Sequence, residues 1–236
     1  IEDCLARDRV TLYYQPIIDL RTDKPAAYEV LVRLLDEKNR LILPAEIFPV
    51  AKAYNLLDAI DNHVMLATLR KYLQLRAHRM KAKLSINLTD TAHRNAGFIQ
   101  LFMDSLAAGS LNPSDLMFEI SSASLIENKD AMLFVRELQG MGCAVAIDYF
   151  GGGAKAVAAT QALGFGFMKL DGQKFAAIST DKAQQQTFLA VVEAAQAAGI
   201  QLIVEKIDNP TLYRLCKRLD VPYGQGFFLA EPQARL

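Results

Sequence analysis

Polar side chains that could bind a metal ion or transfer a proton lie at or near the ends of seven short apolar runs of this chain. They are Glu29, Asn87, Glu119, Asp148, Lys169, Glu205 and Gln225. Burying charged groups within strands is costly unless they are paired or bound to a metal ion, so their recurrence is informative. A set of Glu, Asn and Asp side chains offers hard oxygen ligands suited to Mg²⁺, Mn²⁺ or Ca²⁺.

Each residue also has a purely structural explanation. A single acid at a strand end is more often a helix N-cap or a surface charge than a ligand. Asp148 could cap the turn into the glycines at 151–153, and Lys169 could simply pair with Asp171. Glu29 is the hardest to explain in this way, because it interrupts an otherwise apolar run. The joint occurrence on successive runs favours a shared site.

Short apolar runs alternate with stretches of helical period, which is typical of an α/β protein with a mainly parallel sheet. The predicted strands are Thr11–Ile18, Ala26–Leu34, Lys83–Leu88, Leu116–Ser121, Cys143–Asp148, Gly166–Leu170, Gln201–Glu205 and Val221–Gly226. The predicted helices are Leu56–Arg79, Asp130–Gln139, Ala183–Ala198 and one that begins at Asn209-Pro210. Eight strands fit a closed barrel best, with an open doubly wound sheet as the rival. In a barrel, the C-terminal strand ends meet at one mouth.

The bulk properties narrow the possible functions. With 26 basic and 26 acidic residues among 236, the chain has no long-range attraction for a nucleic acid polymer or an anionic membrane. No apolar run approaches the ~20 residues needed to span a bilayer. Three scattered cysteines predict reduced thiols in a cytoplasmic compartment. Without a linker-like stretch, residues 1–236 are expected to form one domain, and the start at Ile1 suggests a piece of a longer signalling protein.

Taken in order, these segments resemble the EAL family of bacterial cyclic di-GMP phosphodiesterases. The family-naming motif appears as Glu29-Val30-Leu31 with Arg33 at the usual spacing. The other matching segments are Tyr13-Tyr14-Gln15-Pro16, Pro44-Ala45-Glu46-Ile47-Phe48-Pro49, Asn87-Leu88-Thr89, Glu119-Ile120-Ser121, Asp148-Tyr149-Phe150-Gly151, Lys169-Leu170-Asp171, Val204-Glu205 and Gly224-Gln225-Gly226. The resemblance implies a TIM-like (β/α)8 barrel with an antiparallel first strand, and cyclic di-GMP across its mouth.

The resemblance also implies residue roles. Glu29, Asn87, Glu119 and Asp148 match the ligands of a first metal ion, Mg²⁺ or Mn²⁺. Glu205 and Lys169 match the remaining catalytic acid and lysine. Gln15, Arg33 and Gln225 lie in motifs that contact the nucleotide, where Arg33 would give charge-assisted hydrogen bonds to a phosphate.

Three positions depart from the family pattern. Tyr149 replaces a carboxylate that helps to hold a second metal ion, and Ser122 replaces a Glu that organises a loop tied to metal binding and dimerisation. Lys206 places a cation beside the catalytic acid. A single bound ion is therefore expected rather than two, which favours a receptor that holds cyclic di-GMP with weak or no hydrolysis.

Two alternatives stay open. The retained carboxylates are more than a receptor requires, so a slow Mg²⁺- or Mn²⁺-dependent phosphodiesterase producing pGpG is the first. A protein-interaction domain that no longer uses the nucleotide is the second. The family resemblance also allows a homodimer and a downstream protein partner.

Overall fold

The computed structural model describes residues 1–150 and 153–236, with the side chains at 126, 127, 149, 150, 155 and 156 outside the description. The strands are β1 (Val10–Asp19), β2 (Lys24–Leu35), β3 (Leu41–Ile42), β4 (Leu84–Asn87), β5 (Leu116–Ser121), β6 (Ala144–Phe150), β7 (Phe167–Asp171), β8 (Gln201–Glu205) and β9 (Tyr223–Gly224). Each of the eight predicted strands corresponds to one of these, and only the two-residue β3 was not predicted.

Helices follow most of the strands. They are α1 (Glu2–Ala6), α2 (Pro44–Ala53), α3 (Leu57–Ala77), α4 (Ala96–Ala107), α5 (Ser122–Glu127), α6 (Lys129–Gly140), α7 (Ala154–Ala162), α8 (Lys182–Ala198) and α9 (Pro210–Arg218). The four predicted helices agree with α3, α6, α8 and α9 to within two residues at the stated ends. No helix in the described ranges has both the length and the apolar character needed to cross a bilayer.

Strand pairing closes the sheet into a barrel. The order runs β1-β9-β8-β7-β6-β5-β4-β2, and β1 also pairs with β2, while β3 extends β2 outside the ring. The strand β1 is antiparallel to both of its neighbours, whereas the pairs from β2–β4 through β8–β9 are parallel. The predicted α/β barrel with an antiparallel first strand is thus confirmed, and the open doubly wound sheet is excluded.

The barrel interior is arranged in layers. A small apolar cluster inside the ring consists of Ile17, Ala27, Met117, Ala146 and Ile203. On the parallel strands, the residue two positions further along projects to the same face and lies nearer the C-terminal mouth. Those residues are Glu29, Glu119, Asp148 and Glu205, and in β1, which runs the other way, the equivalent residue is Gln15. The apolar layer therefore forms the floor beneath a polar layer.

Candidate active site

Lys169 lies at the centre of the polar layer. Its side chain is 1% exposed, and its Nζ lies 3.2 Å from Glu29 Oε2 and 2.9 Å from Glu205 Oε1. Nζ also donates to Glu119 Oε2. Because β2, β5, β7 and β8 contribute one of these side chains each, the closed ring is what brings them together. Lys169 does not pair with Asp171 as the structural alternative suggested, since Asp171 holds Lys206 instead.

Glu29 is also held by two amides. Asn87 Nδ2 donates to Glu29 Oε1 at 2.7 Å, and Gln225 Nε2 donates to Glu29 Oε2 at 2.7 Å. Gln225 Nε2 also lies 3.0 Å from Gln15 Oε1, and Gln15 in turn donates to the carbonyl of Ala230. Among the described residues, the buried Oε1 of Gln225 has no hydrogen-bond partner. Leaving a buried acceptor unpaired is costly, so this atom suits a donor from a ligand or from water.

The carboxyls of this layer differ in how burial and charge act on them. Burial and repulsion by Glu29 raise the pKa of Glu119 to about 8, against the attraction of Lys169. Burial raises the pKa of Glu205 to about 7. Burial also opposes ionisation of Glu29, but the charge of Lys169 and the bonds from Asn87 and Gln225 hold its pKa below the usual value.

Asp148 belongs to the same electrostatic group. It is buried, it is opposite Ser121 in the strand register, and its charge acts on both Lys169 and Glu119. The neighbouring acids together raise the pKa of Lys169 despite its burial, so its ammonium stays charged. Three carboxyl side chains thus contact one ammonium and a fourth, that of Asp148, acts on it through its charge, so the layer attracts cations or protons.

Arg33 stands apart from this cluster. It lies four residues after Glu29 on β2, a separation of about 13 Å along the strand. Its guanidinium lies over the ring of Tyr13, 5.3 Å from the centroid, and its Nη1 donates to the carbonyl of Val32. The side chain is buried, and burial lowers its pKa. Arg33 is therefore positioned by an aromatic ring rather than by the carboxylates.

A cavity of about 620 Å³ adjoins Glu29 and Asn87, a size within the range of small-molecule sites. Its walls are largely apolar and include Leu31, Phe48 and Ile60. Asp61 lies in the same wall and accepts a hydrogen bond from Thr89 Oγ1. From the sequence, Phe48 and Thr89 are identified only as members of the matching motifs, and Asp61 is not identified at all.

A second residue that sequence reasoning missed is Ser85, whose Oγ donates to Glu119 Oε1. Ser85 lies two positions before Asn87 on β4, so the two side chains project to the same face. The period-two alternation of side chains along β4 is the sequence signal from which Ser85 could have been identified.

The three departing positions fall in different surroundings. Tyr149 is in β6, and its side chain lies outside the described residues. Ser122 is the first residue of α5 and is half-buried, next to the N-cap Ser121. Lys206 follows β8, and its Nζ lies 2.9 Å from Asp171 Oδ2.

The donor chemistry of the layer suits a divalent cation. Glu29, Asn87, Glu119 and Asp148 carry side-chain oxygens of the kind that divalent cations prefer, and the raised pKa of Glu119 marks a carboxyl that would gain from a bound cation or proton. Within the described residues, however, no three His, Cys, Asp or Glu side chains stand in a metal-holding arrangement. Here the ammonium of Lys169 bridges the acids, so a metal ion would have to compete with it.

The chain is a closed α/β barrel that carries a layer of acidic and amide side chains at its mouth. It therefore belongs to the broad class of barrel proteins whose polar site lies at the C-terminal strand ends. The EAL domain family model matches residues 1–232. The chain therefore belongs to the EAL domain family, as its motifs indicated.

Its relatives include phosphodiesterases of cyclic di-GMP. Cyclic di-GMP phosphodiesterase PdeF of Escherichia coli is 27% identical over 99% of this chain, and PdeA of Borreliella burgdorferi is 26% identical over 97%. The alignments cover 31% and 34% of those proteins, so the chain spans about a third of their length. The crystal structure of the FimX EAL domain from Pseudomonas aeruginosa bound to c-di-GMP is 26% identical, with a TM-score of 0.88 over 99% of this chain and 94% of that one.

Proposed function

We propose that this domain is a cyclic di-GMP receptor with weak or no hydrolysis. The observation that carries the proposal is the contrast between two sets of residues. Gln15 and Gln225 stand beside Glu29, and Arg33 lies further along β2. By contrast, Tyr149 and Ser122 stand where the family pattern has side chains that support a second metal ion or a loop beside it, and Lys206 adds a cation beside Glu205.

The physical basis is the difference between binding and turnover. Contacts made equally in the ground state and the transition state support affinity without accelerating hydrolysis. Loss of one of two metal ions should cost several kcal/mol of transition-state stabilisation, on the order of 10³-fold in rate. The side chains proposed to contact the nucleotide are retained, so affinity would be less affected than rate.

A metal ion, if it binds, would be held by Glu29, Asn87, Glu119 and Asp148. Bound Mg²⁺ or Mn²⁺ would polarise the phosphodiester and lower the pKa of an attacking water. The residues of the chain would hold that ion, orient the ligand through Gln15, Gln225 and Arg33, and keep a proton on Lys169. One ion rather than two follows from the tyrosine at 149.

The test combines titration with a product assay. Isothermal titration should show binding of cyclic di-GMP with and without Mg²⁺, and chromatography after long incubation should recover the dinucleotide intact. No binding at about 100 µM ligand in either condition would remove the receptor proposal. A matched variant is Gln225→Ala, which removes two hydrogen bonds at Glu29 and Gln15 and should weaken binding.

A specific observation also favours a second candidate, a slow phosphodiesterase. Glu29, Asn87, Glu119, Asp148, Lys169 and Glu205 are all retained. Formation of linear pGpG with Mg²⁺ or Mn²⁺, abolished in Glu119→Gln, would establish it in place of the receptor. Whether the domain forms a homodimer or signals to a protein partner stays a prediction that the same samples can address by sedimentation and pull-down with and without nucleotide.

A further inference from the structure

The residue after β8 has an unusual backbone for its type. Lys206 has φ 51°, in the left-handed region that costs glycine least. Five of the seven non-glycine residues with positive φ in the described part of the chain are Asp or Asn, which tolerate this conformation through local hydrogen bonds. Only Lys206 and Arg79 are long basic residues. Strain of this kind persists only where the surrounding structure over-determines it, and it is concentrated at binding and active sites.

The side chain of Lys206 is fixed by a carboxylate. Its Nζ lies 2.9 Å from Asp171 Oδ2, while Asp171 Oδ1 accepts from the backbone N–H of Gln173. Asp171 is thus held by the turn that follows β7, and it holds the ammonium in turn. The Lys206 side chain is 39% exposed, so its charge is fixed in position but remains accessible to a ligand.

This ion pair lies above the buried acidic layer. Asp171 and Lys169 are two positions apart on β7, so their side chains project to the same face, with Asp171 nearer the mouth. Asp171 is also opposite Glu205 in the strand register, and Glu205 is one of the acids that Lys169 holds. The ammonium of Lys206 therefore stands at the rim of the mouth, on the solvent side of the cluster.

We propose that Lys206 is a ligand-contacting residue that binds a phosphate of the dinucleotide, in the role that a second divalent cation would otherwise have. This inference rests on the proposed receptor function. A phosphodiester approaching four carboxyl side chains needs a nearby cation, and an ammonium forms charge-assisted hydrogen bonds to phosphate oxygens. Because an ammonium carries three donors, it can hold Asp171 and a phosphate oxygen together.

The test is titration of cyclic di-GMP in buffer containing EDTA, so that no divalent ion contributes. Lys206→Gly should weaken binding about tenfold, since it removes a charge-assisted bond. Its melting temperature should be unchanged or raised by up to about 3 °C, because glycine relieves the left-handed backbone. Lys206→Arg should keep most of the affinity.

Arg79→Gly is the matched control. Arg79 has φ 58° and is exposed just beyond the end of α3, so the change removes the same charge and the same backbone strain elsewhere. It should leave the affinity unchanged. Binding of Lys206→Gly within about twofold of the unaltered chain would overturn the role of Lys206 and leave the receptor proposal standing. Absence of binding by the unaltered chain would overturn both.

Discussion

Removing the charge of Lys169 should destabilise the fold in a way that depends on pH. Its ammonium is 1% exposed and is shared by Glu29, Glu119 and Glu205. Lys169→Met replaces the lysine with an unbranched apolar side chain, so these buried acids lose their cation. Breaking a buried ion pair by removing one partner costs about 3–5 kcal/mol. For a domain of this size that corresponds to a melting temperature lowered by roughly 10–15 °C.

The pH dependence follows from proton uptake. Without the ammonium, burial and mutual repulsion would raise the pKa of all three carboxyls above that of the unfolded chain. The folded state would then bind more protons than the unfolded state, so the free energy of unfolding would fall as pH rises. In the unaltered chain, the pKa values of Glu119 and Glu205 are already raised, to about 8 and about 7, but the pKa of Glu29 is below its usual value. The main difference in the variant is therefore the raised pKa of Glu29. The additional loss of unfolding free energy in the variant should develop above about pH 4.5.

Thermal melts at several pH values between about 5 and 8 test this reasoning. The difference in melting temperature between Lys169→Met and the unaltered chain should be small at the acidic end and largest at the alkaline end. Lys217→Met is the matched control, because Lys217 holds Asp23 at 2.7 Å on the surface, where an ion pair contributes little. An equal deficit at every pH, or no deficit at all, would refute the shared-cation account.

Three further predictions concern the surroundings of the site. Gly172→Ala should lower stability by about 1–3 kcal/mol in chemical denaturation, because a Cβ there would collide with the backbone carbonyl of Glu205, whereas Gly140→Ala meets open space in α6 and should stabilise by about 0.5–1 kcal/mol. Burial raises the pKa of Asp61 to about 7, so its contribution to stability is lost as pH rises from about 4 through 7. The melting temperature of Asp61→Asn should therefore rise relative to that of the unaltered chain as the pH is raised from acidic to neutral. Melting temperatures of the two proteins that change in parallel with pH would contradict this. Binding of an anionic dinucleotide without metal should raise the pKa of Glu119 and Glu205 further, so binding should take up protons and the affinity should increase as pH falls. Calorimetry in buffers of different ionisation enthalpy measures this proton uptake. If a metal ion enters with the ligand, the same measurement would show proton release instead.

The series of short apolar runs, each with a polar residue at or near its end, carried much of the prediction. It placed Glu29, Glu119 and Glu205 near the ends of apolar runs, and parallel strands in a closed ring must bring such ends to one mouth. The order of these runs does not specify distances around the ring. That Lys169 reaches three acids, one of them 140 residues away in the chain, depends on the closure between β1 and β2.

Several helices were harder to predict, for identifiable reasons. The helix α2 carries Pro49 in its interior, where proline removes a backbone hydrogen bond, and its formation is favoured instead by the complete burial of Ile47 and Ala51. Tertiary packing of this kind overrides local propensity and is not readable from the segment alone. The left-handed backbone of Lys206 is similar, since nothing in the sequence around this residue indicates a positive φ.

The chemistry of cations at the mouth separates binding from turnover. To bind near several carboxylates, a phosphodiester needs only enough positive charge to offset their repulsion. Either a metal ion or an ammonium can supply that charge. Hydrolysis requires in addition that the pKa of a water be lowered towards neutrality, which a directly coordinating divalent ion achieves and an ammonium does not. A lysine at position 206 together with a tyrosine at position 149 would therefore preserve the first property and remove the second. Under the proposed function, receptor behaviour would follow from exchanging a second metal ion for an ammonium at the mouth, with the barrel and the rest of the acidic layer unchanged.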